Sequence, residues 1–207
     1  MSKRRVVVTG LGLVSPVGND VESSWEAMKS GKSGIGVLTQ IDTSEFTTHF
    51  GGSIKDFDCD RYIPKKDARR MDIFMHYGIA AGVQAFDDSG LGDTSFNPER
   101  FGVAVGSGIG GINMIEATSL LIDSSGPRKV SPFFVPGSIA NMISGNLSIR
   151  FNLQGRQCIA DSAACCGFGL SAGTGRMGSP SRKKLPARST TGSPAVTPLR
   201  ISMLLSS

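Results

Sequence analysis

Histidine is nearly missing from this chain: His49 and His76 are the only two. Neither stands near a serine or cysteine in a pattern that would make it a general base. A Ser-His-Asp triad and a histidine-based metal centre are therefore both excluded. The four cysteines, Cys59, Cys158, Cys165 and Cys166, match no zinc spacing, and the adjacent pair Cys165-Cys166 has poor geometry for a mutual disulfide. There is no apolar run long enough to span a bilayer. After Lys3-Arg4-Arg5 the apolar stretch is only Val6 to Val8, too short for a signal peptide. These absences predict a cytoplasmic protein with reduced thiols and no membrane segment.

Acidic excess is also missing, and the basic balance is uneven. The net charge of +5 comes from the tail. Residues 156–207 hold seven Lys/Arg and one acid, whereas residues 1–155 hold 15 basic and 16 acidic groups. The part that can build a core is nearly neutral, so no nucleic-acid partner is expected.

What is present is an alternation of strand and helix signals. Arg5–Thr9 is a β-branched run that reads as a buried strand, with Gly10, Gly12 and Gly18 as a flexible turn after it. Asp20 is placed to cap a helix over Val21–Ser30, with Trp25 and Met28 on its buried side. Pro64 to about Asp88 carries one apolar stripe, Met71, Phe74, Met75, Ile79, Val83 and Phe86, at helical spacing. His76 lies inside it and reads as a boundary or hydrogen-bonded core residue. Phe101–Val105 reads as a strand, Asn113–Ile122 as a helix, Ser124–Pro136 as a loop, and Ser138–Phe151 as a helix weakened at Gly145. The buried side of that last helix is expected at Ile139, Met142, Ile143 and Leu147. Such alternation predicts an α/β fold with mainly parallel pairing. From about Gly155 the texture becomes rich in Gly, Ser, Pro and Arg, and disorder is expected from about 172 onward.

Two glycine-rich turns invite a nucleotide reading. The strand running into Gly10-Leu-Gly12 resembles the start of a dinucleotide fingerprint, but Ser15 stands where its third glycine belongs. A nicotinamide-binding oxidoreductase is thereby disfavoured. Gly106-Ser-Gly-Ile-Gly-Gly111 is not a phosphate-binding P-loop, because no Gly-Lys-Ser/Thr follows. Lys65, Lys66, Arg69 and Arg70 make a basic cluster at a helix start, where the helix dipole does not favour cations, and Arg128-Lys129 make another. An acidic macromolecular partner accounts for that placement, and a merely solvated face is the alternative.

Three segments together resemble a known family: Arg4-Arg-Val-Val-Val-Thr-Gly-Leu-Gly-Leu-Val-Ser-Pro-Val-Gly18, the Gly106–Gly111 turn, and Ser125-Gly-Pro-Arg-Lys-Val-Ser-Pro-Phe-Phe-Val-Pro136. They are similar to the beta-ketoacyl-acyl carrier protein synthases, most of all the elongating bacterial type. The resemblance covers residues 1 to about 155. It implies the N-terminal half of a thiolase-like fold, a homodimer, and decarboxylative condensation of malonyl-carrier protein with an acyl thioester in fatty acid biosynthesis. It implies no cofactor beyond the phosphopantetheine arm carried by the acyl carrier protein. It places Ile109 and Phe134 at the acyl pocket, Phe134 reaching across the dimer. It makes Lys66, Arg69, Arg70, Arg128 and Lys129 the docking residues for the carrier protein.

The family's nucleophilic cysteine would fall at Ala164, counted from Gly155. Cys165, one residue later, is the catalytic candidate, and an incidental thiol is the other reading. A helix N-terminus beside such a cysteine lowers its pKa and favours the thiolate nucleophile. Beyond about 170 the resemblance ends, and the family's catalytic histidines and lysine have no counterparts. The chain is therefore read as a synthase N-terminal domain over 1–170 and a low-complexity tail over 171–207. A reading-frame slip near Gly155 would account for the tail and would leave an inactive fragment. A non-catalytic carrier-protein-binding fragment is the rival function.

Overall fold

Two glycines two residues apart bring a strand directly onto a helix. The first strand, β1 (Val7–Val14), continues through Gly10 and Gly12 rather than turning there, with a register irregularity between Val8 and Gly10. A Cβ on Gly10 would overlap the Ala85 carbonyl oxygen, and one on Gly12 the Ala81 carbonyl oxygen. The glycines are thus not a hinge. They let the strand lie directly on the backbone of a long helix, α3 (Ile73–Asp88). The contact is completed by side chains of that helix. Gln84 Oε1 accepts from the Leu13 N–H at 3.1 Å, and Asp88 Oδ2 from the Leu11 N–H at 2.8 Å. Four residues of helix rise about 6 Å and two residues of strand about 6.6 Å, so the two periods match here.

The computed structural model describes residues 7–160 and the strands at 168–169 and 199–205. After β1 come α1 (Val21–Lys29), β2 (Ile35–Val37), β3 (Phe50–Gly52) and α2 (Lys65–Ala68). Past α3 come β4 (Val103–Gly106), α4 (Ile112–Ser125), α5 (Phe134–Ser138), α6 (Met142–Phe151) and β5 (Gln157–Ala160). The series ends with β6 (Phe168–Gly169) and β7 (Leu199–Leu205). β4 pairs with β5 in parallel and β1 with β7 in parallel, while β2–β3 and β6–β7 are antiparallel. The α/β class with parallel pairing at its centre holds.

The core is α3 wrapped on several sides. Met75, Ile79, Ala80, Ala81, Val83, Ala85 and Phe86 are buried, and so are Gly78 and Gly82. Against them pack Val103 and Val105 of β4, Ile143 and Leu147 of α6, and Leu153. Phe86 stacks on Phe151 with ring centroids 3.8 Å apart. Each fully buried large side chain, such as Met75 or Leu147, contributes about 2–5 kcal/mol against truncation to alanine.

Several sequence expectations are corrected. Pro64–Asp88 is two helices, because Asp72 turns extended at the start of α3 and sends its N–H to the Gly137 carbonyl at 3.1 Å. In α1, Asp20 caps as expected, accepting from the Ser23 N–H at 2.7 Å. That bond holds its carboxyl below the usual range. Trp25 and Met28, however, lie outward at 57% and 51% exposure. The inward face is Ser24 and Ala27, because the Ser24 hydroxyl reaches the Gly18 carbonyl at 3.1 Å and only a small side chain fits that approach. In α6, Ile139 stands outside the helix and is 39% exposed. The expected Ser124–Pro136 loop contains a 3-10 turn at Pro127–Lys129 and the start of α5. Within the stretch from about 172 onward, where disorder is expected, residues 199–205 pair along β1 from Val7↔Leu199 to Val14↔Leu205. The rest of that expectation lies outside the described residues.

Substitution at Gly12 tests the approach of β1 to α3. G12V is expected to lower the unfolding free energy by about 3 kcal/mol or to abolish soluble expression. G108A, at a position with open space around it, should stay within about 0.5 kcal/mol of the parent. Urea unfolding followed by circular dichroism measures both, and equal effects would refute the close-packing account.

Candidate functional site

Three backbone segments meet at one buried carboxylate. Asp72 is 5% exposed. It occupies the cap position of α3, yet its side chain makes no bond to its own helix. Instead Oδ2 accepts from the Met114 N–H at 2.6 Å, in the first turn of α4. That helix starts at Gly111, which has no side chain to cap it. First-turn N–H groups have no intrahelical partner, so Asp72 supplies from a distance what an ordinary cap would supply locally. A negative charge is also favoured there by the helix dipole.

Glycines allow the junction to close. The Gly111 N–H donates to the Ser138 carbonyl at 2.8 Å. A Cβ on Gly111 would stand 3.0 Å from Asp72 Oδ2 and 2.7 Å from Ser138 Cα. A Cβ on Gly137 would overlap the Arg70 carbonyl oxygen. Any side chain at either position would prise the segments apart.

Most of the candidate site residues sit close to this junction along the chain. Lys66 is in α2, and Arg69 and Arg70 follow it, all exposed. Arg70 lays its guanidinium 4.2 Å from the centroid of the Phe133 ring. Lys65 is paired with Asp60 at 3.1 Å, so part of its charge is answered within the chain. Arg128 and Lys129 are exposed on the 3-10 turn that follows α4. Ile109 precedes Gly110 and is 73% exposed. Phe134 opens α5 and is half-buried. Cys165 lies outside the described residues.

His76 Nε2 lies 2.9 Å from the Ala68 carbonyl oxygen, as a boundary residue should. No group of three His, Cys, Asp or Glu among the described residues could hold a metal ion. No helix among them is long and apolar enough to cross a membrane.

Sequence reasoning missed Asp72, Gly111 and Gly137 as supports of the site. The available signal was an acid inside an apolar stripe, between Met71 and Ile73. A charged residue there needs a partner, and nothing in the sequence says that the partner lies 42 residues away.

The pattern of the beta-ketoacyl synthase N-terminal domain matches residues 3–174. The 3-oxoacyl-[acyl-carrier-protein] synthase 2 of Vibrio harveyi is 60% identical over 165 residues, covering 80% of this chain and 40% of that protein. The synthase of the same name from Staphylococcus aureus (strain N315) is 43% identical over 152 residues, 73% of this chain and 37% of that protein. The chain thus spans about two fifths of the length of these curated relatives. Among solved structures, a type II PKS acyl-carrier protein in complex with its ketosynthase bound to the hexaketide gives a TM-score of 0.60 at 27% identity. The match covers 75% of this chain and 42% of that one. A beta-ketoacyl synthase from Burkholderia phymatum STM815 gives 0.60 at 25% identity, covering 75% and 39%.

One thiol among the described residues has an environment that decides its reactivity. Burial first, then Asp60 and Asp58, push the Cys59 thiol above its ordinary pKa. Cys59 should therefore alkylate slowly with iodoacetamide near pH 7.5, speeding up only well above the usual thiol range, and D60N should speed it. The folded protein holds this proton more tightly than the unfolded chain. The corresponding share of stability is full below the unfolded thiol's pKa and lost as pH rises through the folded one. Peptide mass spectrometry of labelled Cys59 measures the rate. A rate equal to that of a free thiol at pH 7.5 would contradict this picture.

Proposed function

We propose a function from one premise: the chain belongs to the beta-ketoacyl synthase family, whose N-terminal domain it carries over residues 3–174. The function is that of a 3-oxoacyl-[acyl-carrier-protein] synthase of fatty acid biosynthesis. Its reaction is the decarboxylative condensation of malonyl-carrier protein with an acyl thioester. The observation that carries this reading is the 60% identity to a 3-oxoacyl-[acyl-carrier-protein] synthase 2 across 165 residues.

In this reading the described residues dock and shape rather than react. Lys66, Arg69, Arg70, Arg128 and Lys129 receive the acidic carrier protein. Their exposure supports this, since rim cations steer an acidic partner and are screened by salt. Ile109 and Phe134 wall the acyl pocket, Phe134 acting across a homodimer. Cys165 is the nucleophile. Its sulfur attacks the thioester carbonyl, the acyl group moves to Cys165, and the carrier protein's thiol leaves. The decarboxylation and condensation that follow in the family draw on histidines and a lysine that have no counterparts in this sequence, so the reading for this chain extends to the acyl-Cys165 thioester. We assign the synthase domain to 1–170 and a low-complexity tail to 171–207, within which 199–205 pairs with β1.

Fluorescence anisotropy with labelled acyl carrier protein tests the docking. Reversing two cations, R69E with R70E, should weaken binding about tenfold or more at low salt, and 0.5 M salt should weaken the parent comparably. Unchanged binding would remove the docking assignment. Acyl-carrier protein is then incubated with the chain, and adducts are mapped by peptide mass spectrometry. A stoichiometric acyl adduct on Cys165 supports the nucleophile. Salt-sensitive binding with no adduct favours the non-catalytic carrier-protein-binding fragment.

A further inference from the structure

Asp72 holds together the parts that the proposed function uses separately. Its backbone N–H is bonded to Gly137, three residues beyond Phe134. Its carboxylate is bonded to Met114, five residues beyond Ile109. Arg70 and Arg69 lie just before it in the chain, beyond Met71. Arg70 itself is anchored over Phe133, and the loop leading to Phe133 carries Arg128 and Lys129. The described salt bridges, Lys29–Glu26 and Lys65–Asp60, do not involve Asp72. The carboxylate is therefore committed to the α4 N-terminus and is not diverted to a cation.

We propose that Asp72 is a positioning residue that fixes the two cation groups relative to one another and to Ile109 and Phe134, so that the carrier-docking face and the acyl wall form one rigid unit. The inference rests on the docking and pocket assignments made above. Its physical basis is that a buried acceptor bonded to a backbone N–H cannot lose that donor without leaving buried polar groups unsatisfied. The three backbones it joins cannot separate without breaking that bond and the two backbone bonds beside it. Cations on independent loops would have to be ordered on binding, and that ordering weakens association. Clamped cations are already in place.

The clamp can be read without any partner. In the parent chain, amide exchange followed by NMR should show the Met114 N–H at least about tenfold slower than the Asn113 N–H beside it, although both lie in the unpaired first turn. D72A should speed exchange across 106–116 and 131–138 while leaving Ile79–Phe86 of α3 unchanged. D72N keeps an oxygen acceptor of the same size and should restore most of the protection. A merely structural role would instead raise exchange throughout α3 in D72A, and that result, or a fast Met114 amide in the parent, overturns the proposal.

The same variants are then titrated with acyl carrier protein. D72A retains every docking cation, yet should bind about fivefold more weakly, with D72N close to the parent. If the parent binds and D72A binds equally well, the coupling is refuted even though the clamp exists. If the parent does not bind while the exchange pattern holds, the docking assignment fails, and with it the coupling to a docking face.

Discussion

The backbone of β1 lies against the backbone of α3 with no side chain between them, and the rest of the described structure depends on that contact. Gly10 and Gly12 on the strand face Ala85 and Ala81 on the helix. Both partners are small, so the approach is close, and Gln84 and Asp88 satisfy the strand's amides from the helix. Once β1 occupies that side, the other faces of α3 are left for β4 and α6. Gly78 repeats the device there, since a Cβ on it would stand 2.7 Å from the Ile143 side chain. Close packing of this kind tolerates little volume change.

The start of α3 is as constrained as its middle, and this links fold to function. Met75 is fully buried, so Asp72, three residues earlier, is carried into the interior by the same helix. A carboxylate there must be answered, and the Met114 N–H in the first turn of α4 answers it. The consequence is positional. The Gly106–Gly111 turn and the end of α5 are held at the end of the very segment that presents Arg69 and Arg70. Under the proposed function, the face that would dock an acidic carrier protein and the wall that would line an acyl chain share one support. Large exposed apolar residues on α4, such as Leu120 at 65%, belong to a domain that in its relatives is about two fifths of a longer chain.

Much of this was legible in the sequence, and particular residues show where legibility ended. The Asp20 cap was readable because a cap is a local interaction, decided within three residues. The strand at Phe101–Val105 and the helix from Asn113 were readable because hydrophobic period and turn residues act locally too. Gly10 and Gly12 misled, because a glycine that permits a turn and a glycine that permits close approach look the same in one dimension. Trp25 and Met28 misled because hydrophobicity does not say which face meets Gly18, where only Ser24 fits.

The sequence by itself determined the family, the α/β alternation and the identity of the exposed cations, since these rest on motifs, periods and residue types. Only the tertiary structure decided that Pro64–Asp88 breaks at Asp72, that the β1 glycines lie against α3, and that one aspartate, through its carboxylate and its backbone N–H, ties three distant segments together. The physical reason is the range of the interactions. Caps, periods and turns are settled between residues a few positions apart. A bond between Asp72 and Met114, or a fit between Gly137 and Arg70, exists only after the chain has folded back on itself.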